Sequence, residues 1–167
     1  MPEKSSVVVL VGPMGVGKTT VGKKLAKALK VPFIDTDAVV VAEHGEISQI
    51  FETQGEPAFR ALEEAAVAAA ITEPSVVATG GGVVLSAVTR ERLKAATVIY
   101  LSTDGRHIKS RLTGGKRPLL KNGFEDWTRI YDERKPIYES VADITINTSG
   151  QSLAATLAAI KEQLGVS

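Results

Sequence analysis

Glycines at positions 12, 15 and 17, followed at once by Lys18 and Thr19, constrain this chain more than anything else in it. The run Gly12-Pro13-Met14-Gly15-Val16-Gly17-Lys18-Thr19 has the spacing G-x-x-x-x-G-K-[ST] of a phosphate-binding loop. The flanks fit. Ser6-Val7-Val8-Val9-Leu10-Val11 reads as a buried parallel strand, and Thr19 to Leu29 reads as a helix with Lys23, Lys24 and Lys27 on its outer side. A strand, a glycine-rich turn and a helix N-terminus together present backbone N–H groups and a positive dipole end to phosphate oxygens. Lys18 would reach the β- and γ-phosphates of a bound nucleoside triphosphate, and the Thr19 hydroxyl is placed for Mg²⁺.

The rest of the chain repeats this alternation. Short β-branched runs at Val31–Asp35, Val76–Thr79, Thr97–Leu101 and Asp143–Asn147 join the first strand, with helix-length segments between them. The pattern predicts a three-layer α/β/α fold around a five-stranded parallel sheet. The best-marked helix starts near Pro57, repeats Ala58, Phe59, Leu62, Ala66 and Ala69 at helical spacing, and stops before Pro74. Further helices are expected over Ala87–Ala96, Asp104–Arg111, Phe124–Ser140 and Ser152–Leu164, with two short ones in Asp37–Thr53 broken near Gly45. A length of 167 residues suits one domain, 1–167.

Composition removes several function classes. A net charge of +1, with no basic run, gives no field for nucleic acid or an anionic membrane. With no cysteine, thiolate catalysis and thiolate metal sites are excluded, and a cytoplasmic setting fits. No apolar stretch reaches membrane-spanning length, because Ala65 to Ile71 is bounded by Glu64 and Glu73. His44 and His107 lack metal-ligand spacing and read as structural. Trp127, Ile130 and Tyr131 read most simply as a packing face.

Sheets of this kind bind ligands beyond the carboxyl ends of their strands. Strand two ends in Asp35-Thr36-Asp37, two carboxylates placed on one side by strand alternation; a helix cap plus a solvated residue is the plainer account. Strand three ends in Gly80-Gly81-Gly82, either a flexible turn or a place where a ligand meets the main chain. Arg60 and Glu63 share a helix face and could be a surface ion pair; Arg134 would pass for a surface residue. The stretch 112–123, with three glycines, Pro118 and three basic residues, reads as a solvated connection or as a mobile lid.

Six motifs in order give the chain a resemblance over nearly its full length. They are Gly12 to Thr20, Asp35-Thr36-Asp37, Phe59-Arg60-x-x-Glu63, Thr79-Gly80-Gly81-Gly82, Arg117-Pro118-Leu119-Leu120 and Arg134-x-Pro136-x-Tyr138. The chain resembles the shikimate kinases. That resemblance implies a fold similar to nucleoside monophosphate kinases, with sheet order 2-3-1-4-5 and a lid. It implies transfer of the ATP γ-phosphate to the 3-hydroxyl of shikimate, on the route to chorismate and the aromatic amino acids, by a monomer.

The same resemblance implies roles. Gly15, Val16, Gly17, Lys18, Thr19 and Thr20 would hold phosphates, with Thr19 and Asp35 on Mg²⁺. Asp37 would meet shikimate hydroxyls and serve as base; Arg60 and Arg134 would grip the carboxylate, with Glu63 orienting Arg60. Gly81 and Gly82 would meet the ring, Arg117 would be the lid arginine, and Arg111 would lie along the adenine. Two departures stand out. Where the family often carries a second adenine-side arginine, this chain has Ser149-Gly150-Gln151-Ser152, which leaves Gln151 at that place. The lid is also shorter between Gly115 and Arg117 than in some relatives. A kinase for another small metabolite such as gluconate is the alternative enzyme. A nucleotide-binding regulator is the alternative class, and would be expected to lack Lys18, Asp37 or Arg117.

Overall fold

Strand β1, Val7–Val11, is buried on both faces, and its side chains divide by parity. Val7, Val9 and Val11 enter one core, while Val8 and Leu10 enter the other. Such a strand must lie mid-sheet. It pairs in parallel with β3, Ser75–Ala78, on one side and with β4, Thr97–Ser102, on the other. Strand β2, Phe33–Asp35, adds to β3, and β5, Ile144–Asn147, adds to β4. The sheet order is β2-β3-β1-β4-β5, as the resemblance implies. The structure, a computed structural model, describes residues 6–112, 118–120 and 122–166.

Helices cover both faces. Helix α1, Lys18–Leu29, and α8, Leu153–Leu164, close the core around Leu10, Leu25, Ile99 and Ile160. On the opposite face α4, Glu56–Ala70, α5, Ala87–Leu93, and α7, Phe124–Val141, contribute Val67, Leu93, Trp127, Tyr131 and Tyr138. Between β2 and α4 lie α2, Thr36–His44, and α3, Ile47–Gln54, whose Val40 and Ile50 pack with Phe59 in a small separate core. The break between them falls at Gly45, as expected.

Two helices are shorter than the sequence suggested. Over Asp104–Arg111 only α6, Ile108–Arg111, is helical. The side chains of Thr103 and Asp104 capture amides two residues further on, Gly105 N–H donating to Thr103 Oγ1 (3.1 Å) and Arg106 N–H to Asp104 Oδ1 (2.9 Å). Helix α5 stops at Leu93 because residues 94–96 tighten into i→i+3 bonds, Lys94 N–H to Glu91 O and Ala96 N–H to Leu93 O. A short 3-10 turn, Val83–Leu85, was not anticipated. Of the expected lid, residues 113–117 and 121, Arg117 among them, lie outside the described residues.

Candidate active site

The loop after β1 enters α1 through Gly17, whose φ of 106° is left-handed and favours a residue without Cβ. Lys18, the first residue of α1, is 9% exposed and bends back over the loop. Its Nζ donates to Gly12 O (2.5 Å) and Pro13 O (3.1 Å). Burial pushes the ammonium down to about 8, opposed by the nearby carboxylates of Asp37 and Asp35. A cavity of about 580 Å³ opens in front of this loop.

Thr19 and Asp35 meet across it. Thr19 Oγ1 donates to Asp35 Oδ2 (2.9 Å), while Asp35 Oδ1 caps α2 by accepting from Asp37 N–H (3.0 Å) and Ala38 N–H (3.2 Å). The carboxylate is therefore a cap and a neighbour of the loop at once. A hydroxyl and a fixed carboxylate form an oxygen-only pair, which fits Mg²⁺, an ion that keeps most of its waters. Asp37 requires a correction. It is not a strand residue paired with Asp35 by alternation; it lies in the first turn of α2. The turn of the helix, rather than the pleat, brings it to the same cavity.

A second cavity, about 160 Å³, adjoins the first. Met14, Asp37, Gly80 and Gly81 line both, so the two form one cleft with a waist. Phe51 and Phe59 supply an apolar wall, and two guanidiniums supply positive charge. Arg60 donates from Nε to Glu56 (3.2 Å) and from Nη1 to Glu63 Oε1 (3.0 Å). It also packs flat on the main chain of Gly82, in the space a Cβ would need. Arg134 is 8% exposed, and among the described residues no carboxylate lies within ion-pair distance of it. A buried guanidinium without a carboxylate has charge and donors to offer an anion. At the waist, Asp37 Oδ1 is buried and accepts no hydrogen bond from the described residues. Burial raises the Asp37 carboxyl, with the Lys18 ammonium pulling the other way. Burial likewise raises Glu63, against the pull of Arg60.

The sequence profile of the family described as shikimate kinase matches residues 14–165. This chain belongs to the shikimate kinase family. It is 48% identical over 151 residues to a shikimate kinase of Rhodococcus jostii, covering 87% of this chain and 90% of the relative. A Streptomyces coelicolor shikimate kinase is 43% identical over 150 residues, covering 87% and 88%. A solved shikimate kinase from Acinetobacter baumannii, in complex with shikimate, superposes with a TM-score of 0.88 at 36% identity, covering 95% of this chain and 93% of that one.

The described positions that the shikimate kinase resemblance singled out fall on the two cavities, with Asp37 and Gly81 on both. Gly15, Val16, Gly17, Lys18, Thr19, Thr20, Asp35, Arg111 and Gln151 line the larger cavity. Asp37, Arg60, Glu63, Gly81, Gly82 and Arg134 line the smaller. Arg111 does more than line: its Nη1 donates to Gly15 O (2.9 Å). Met14, at the waist, escaped the sequence reading because an apolar residue inside a loop motif carries no signal of its own.

Proposed function

We propose that this chain transfers the γ-phosphoryl group of ATP to the 3-hydroxyl of shikimate, giving ADP and shikimate 3-phosphate for chorismate and aromatic amino acid synthesis. Membership of the family supports this, and one observation carries the site: the unpartnered Asp37 Oδ1 at the waist between the two cavities. The larger cavity takes the nucleotide, with its phosphates on the amides of Gly15 to Thr20 and on Lys18. The smaller takes shikimate, its carboxylate between Arg60 and Arg134 and its ring against Gly81 and Gly82. Glu63 and Glu56 hold the Arg60 fork in plane.

The acceptor hydroxyl then lies at the waist. Asp37 Oδ1 accepts its proton as the hydroxyl oxygen bonds to the γ-phosphorus and the bond to the β-phosphate oxygen breaks. A carboxyl raised by burial is a better match to that task than a solvated one. Lys18 releases the Gly12 and Pro13 carbonyls and turns to the phosphates, where charge spreads in the transition state. Thr19 and Asp35 would hold Mg²⁺, which would supply neutralisation of the phosphate charge. In this reading 1–167 acts as a single domain and as a monomer. The near-neutral charge supports a cytoplasmic enzyme of small molecules. No described helix is long and apolar enough to cross a membrane.

ADP release measured with shikimate and gluconate side by side tests the reading. Release with shikimate alone is expected; equal release with gluconate overturns the acceptor. Arg60→Ala and Arg134→Ala should each raise the shikimate KM strongly and leave nucleotide Kd within twofold or so. Loss of one partner from a desolvated charge pair costs roughly 2–5 kcal/mol. Unchanged KM in both variants removes the arginines from the carboxylate.

Lys18 also predicts a pH dependence. In the free protein its ammonium is half-deprotonated at about pH 8, below the ordinary 10.5. Bound phosphates raise it again, so nucleotide binding takes up protons between those two values, and affinity falls as pH rises through that window. Calorimetry of ADP binding at pH 8.5, in buffers of different ionisation enthalpy, should show net proton uptake. Buffer-independent enthalpies would mean that Lys18 does not change protonation on binding.

A further inference from the structure

One face of α7 carries Trp127, Tyr131, Arg134 and Tyr138, spaced four, three and four residues apart and all buried. Arg134 is the anion-binding member. Trp127 and Tyr138, at the two ends of this row, do something besides fill the core: each donates a hydrogen bond to a main-chain carbonyl in the cleft. Trp127 Nε1–H reaches Met14 O at 2.8 Å. Tyr138 O–H reaches Gly81 O at 2.5 Å, and burial pushes that hydroxyl up to about 12, so it stays a donor at neutral pH. Met14 and Gly81 are two of the residues shared by both cavities.

A trans peptide is planar, and its C=O and the following N–H point in opposite directions. Drawing Met14 O towards Trp127 therefore turns Gly15 N–H away from Trp127, and Gly15 lines the nucleotide cavity. Drawing Gly81 O towards Tyr138 turns Gly82 N–H away from Tyr138, and Gly82 lines the acceptor cavity. Both peptides adjoin glycine, whose backbone has little preference of its own, so their orientation needs an outside anchor. The anchors are stiff. The Trp127 ring lies parallel to Phe124 (5.5 Å, 9°) and against Tyr131 (5.1 Å), and Tyr138 stacks on Tyr100 (5.2 Å, 27°).

We propose that Trp127 and Tyr138 are positioning residues: by holding Met14 O and Gly81 O they aim the Gly15 and Gly82 amides at phosphate and acceptor, so that α7 sets both halves of the cleft. The proposal rests on the assignment of the larger cavity to nucleotide and the smaller to shikimate.

The test removes each donor and keeps the ring. Tyr138→Phe deletes one hydroxyl. Trp127→Phe deletes the indole N–H; because the chain has one tryptophan, biosynthetic replacement by benzothienylalanine, with sulfur in place of the N–H, also changes this site alone and preserves its packing. Nucleotide affinity is read by calorimetry with Mg·ADP, and acceptor affinity as the shikimate KM. The Trp127 variants should weaken Mg·ADP about five- to tenfold and leave the shikimate KM within about twofold; Tyr138→Phe should do the reverse. A general packing role would move both constants together in either variant. That result, or no movement of either constant, overturns the proposal. Wild-type protein that binds Mg·ADP but does not turn over shikimate would instead overturn the acceptor assignment, and the nucleotide half of the test stays readable without any acceptor.

Discussion

Lys18→Ala is expected to abolish measurable turnover while the protein stays folded. The two halves of that result have separate causes. Removing one preorganised donor from a water-poor site costs on the order of 10²–10³ in kcat, and Lys18 would also bring a full charge to phosphates. Stability responds differently. The variant leaves the Gly12 and Pro13 carbonyls without their lysine donor, which costs about 1–3 kcal/mol per buried group that finds no water. Against this, it removes an ammonium whose depressed pKa marks it as poorly solvated. The net effect on Tm should be several degrees at most, because 1 kcal/mol shifts a domain of this size by roughly 2–4 °C. Single-turnover kinetics beside a thermal melt checks both. A folded variant with near-native kcat would remove Lys18 from the mechanism.

Asp37→Asn should lower kcat by about 10²–10⁴, the usual worth of general-base assistance, with nucleotide Kd little changed. The substitution is nearly isosteric and separates two readings of the carboxylate. As a structural anion, Asp37 would stabilise the fold, and its loss would show in the melt. Its pKa is raised by burial, however, so the folded state disfavours the charged form. Stability from this group is then greatest at low pH and falls as pH rises from the unfolded value through the folded one. Asparagine carries no such penalty, and the variant should melt at or slightly above wild type at neutral pH. Wild-type kcat/KM should decline on the acid side as Asp37 is protonated. A variant with full kcat and a lowered Tm would make Asp37 a structural residue.

Much of this was legible in the sequence because the information was local. The loop motif with its flanking strand and helix follows from patterns a few residues long, and the sheet order from a resemblance spread over six motifs. Asp35 shows where local reading ran short. Helix cap and place on Mg²⁺ are its two sequence readings; one oxygen caps α2 and the other meets Thr19. Asp37 was placed in the cleft for the wrong reason, since α2 starts one residue after β2 ends and the chain leaves the pleat before reaching it. Trp127 and Tyr138 were harder. Their hydrogen bonds join residues separated by 113 and 57 positions, and nothing in an aromatic at helical spacing distinguishes a donor to a distant carbonyl from a core residue.

The position of β1 has a consequence for biosynthesis. Of the five strands this one is synthesised first, yet it lies at the centre of the sheet, between β3 and β4. Its five residues, Val-Val-Val-Leu-Val, have no partner until Ser75–Ala78 has emerged, and only one until Thr97–Ser102 follows. Non-local parallel pairing of this kind is slow, and an unpaired apolar strand is sticky while it waits. The nascent chain is therefore most vulnerable over its first hundred or so residues. Because the phosphate loop is the direct continuation of β1, it acquires its shape only when both neighbours have docked. Nucleotide can then stabilise the finished enzyme but cannot rescue a chain arrested before β4.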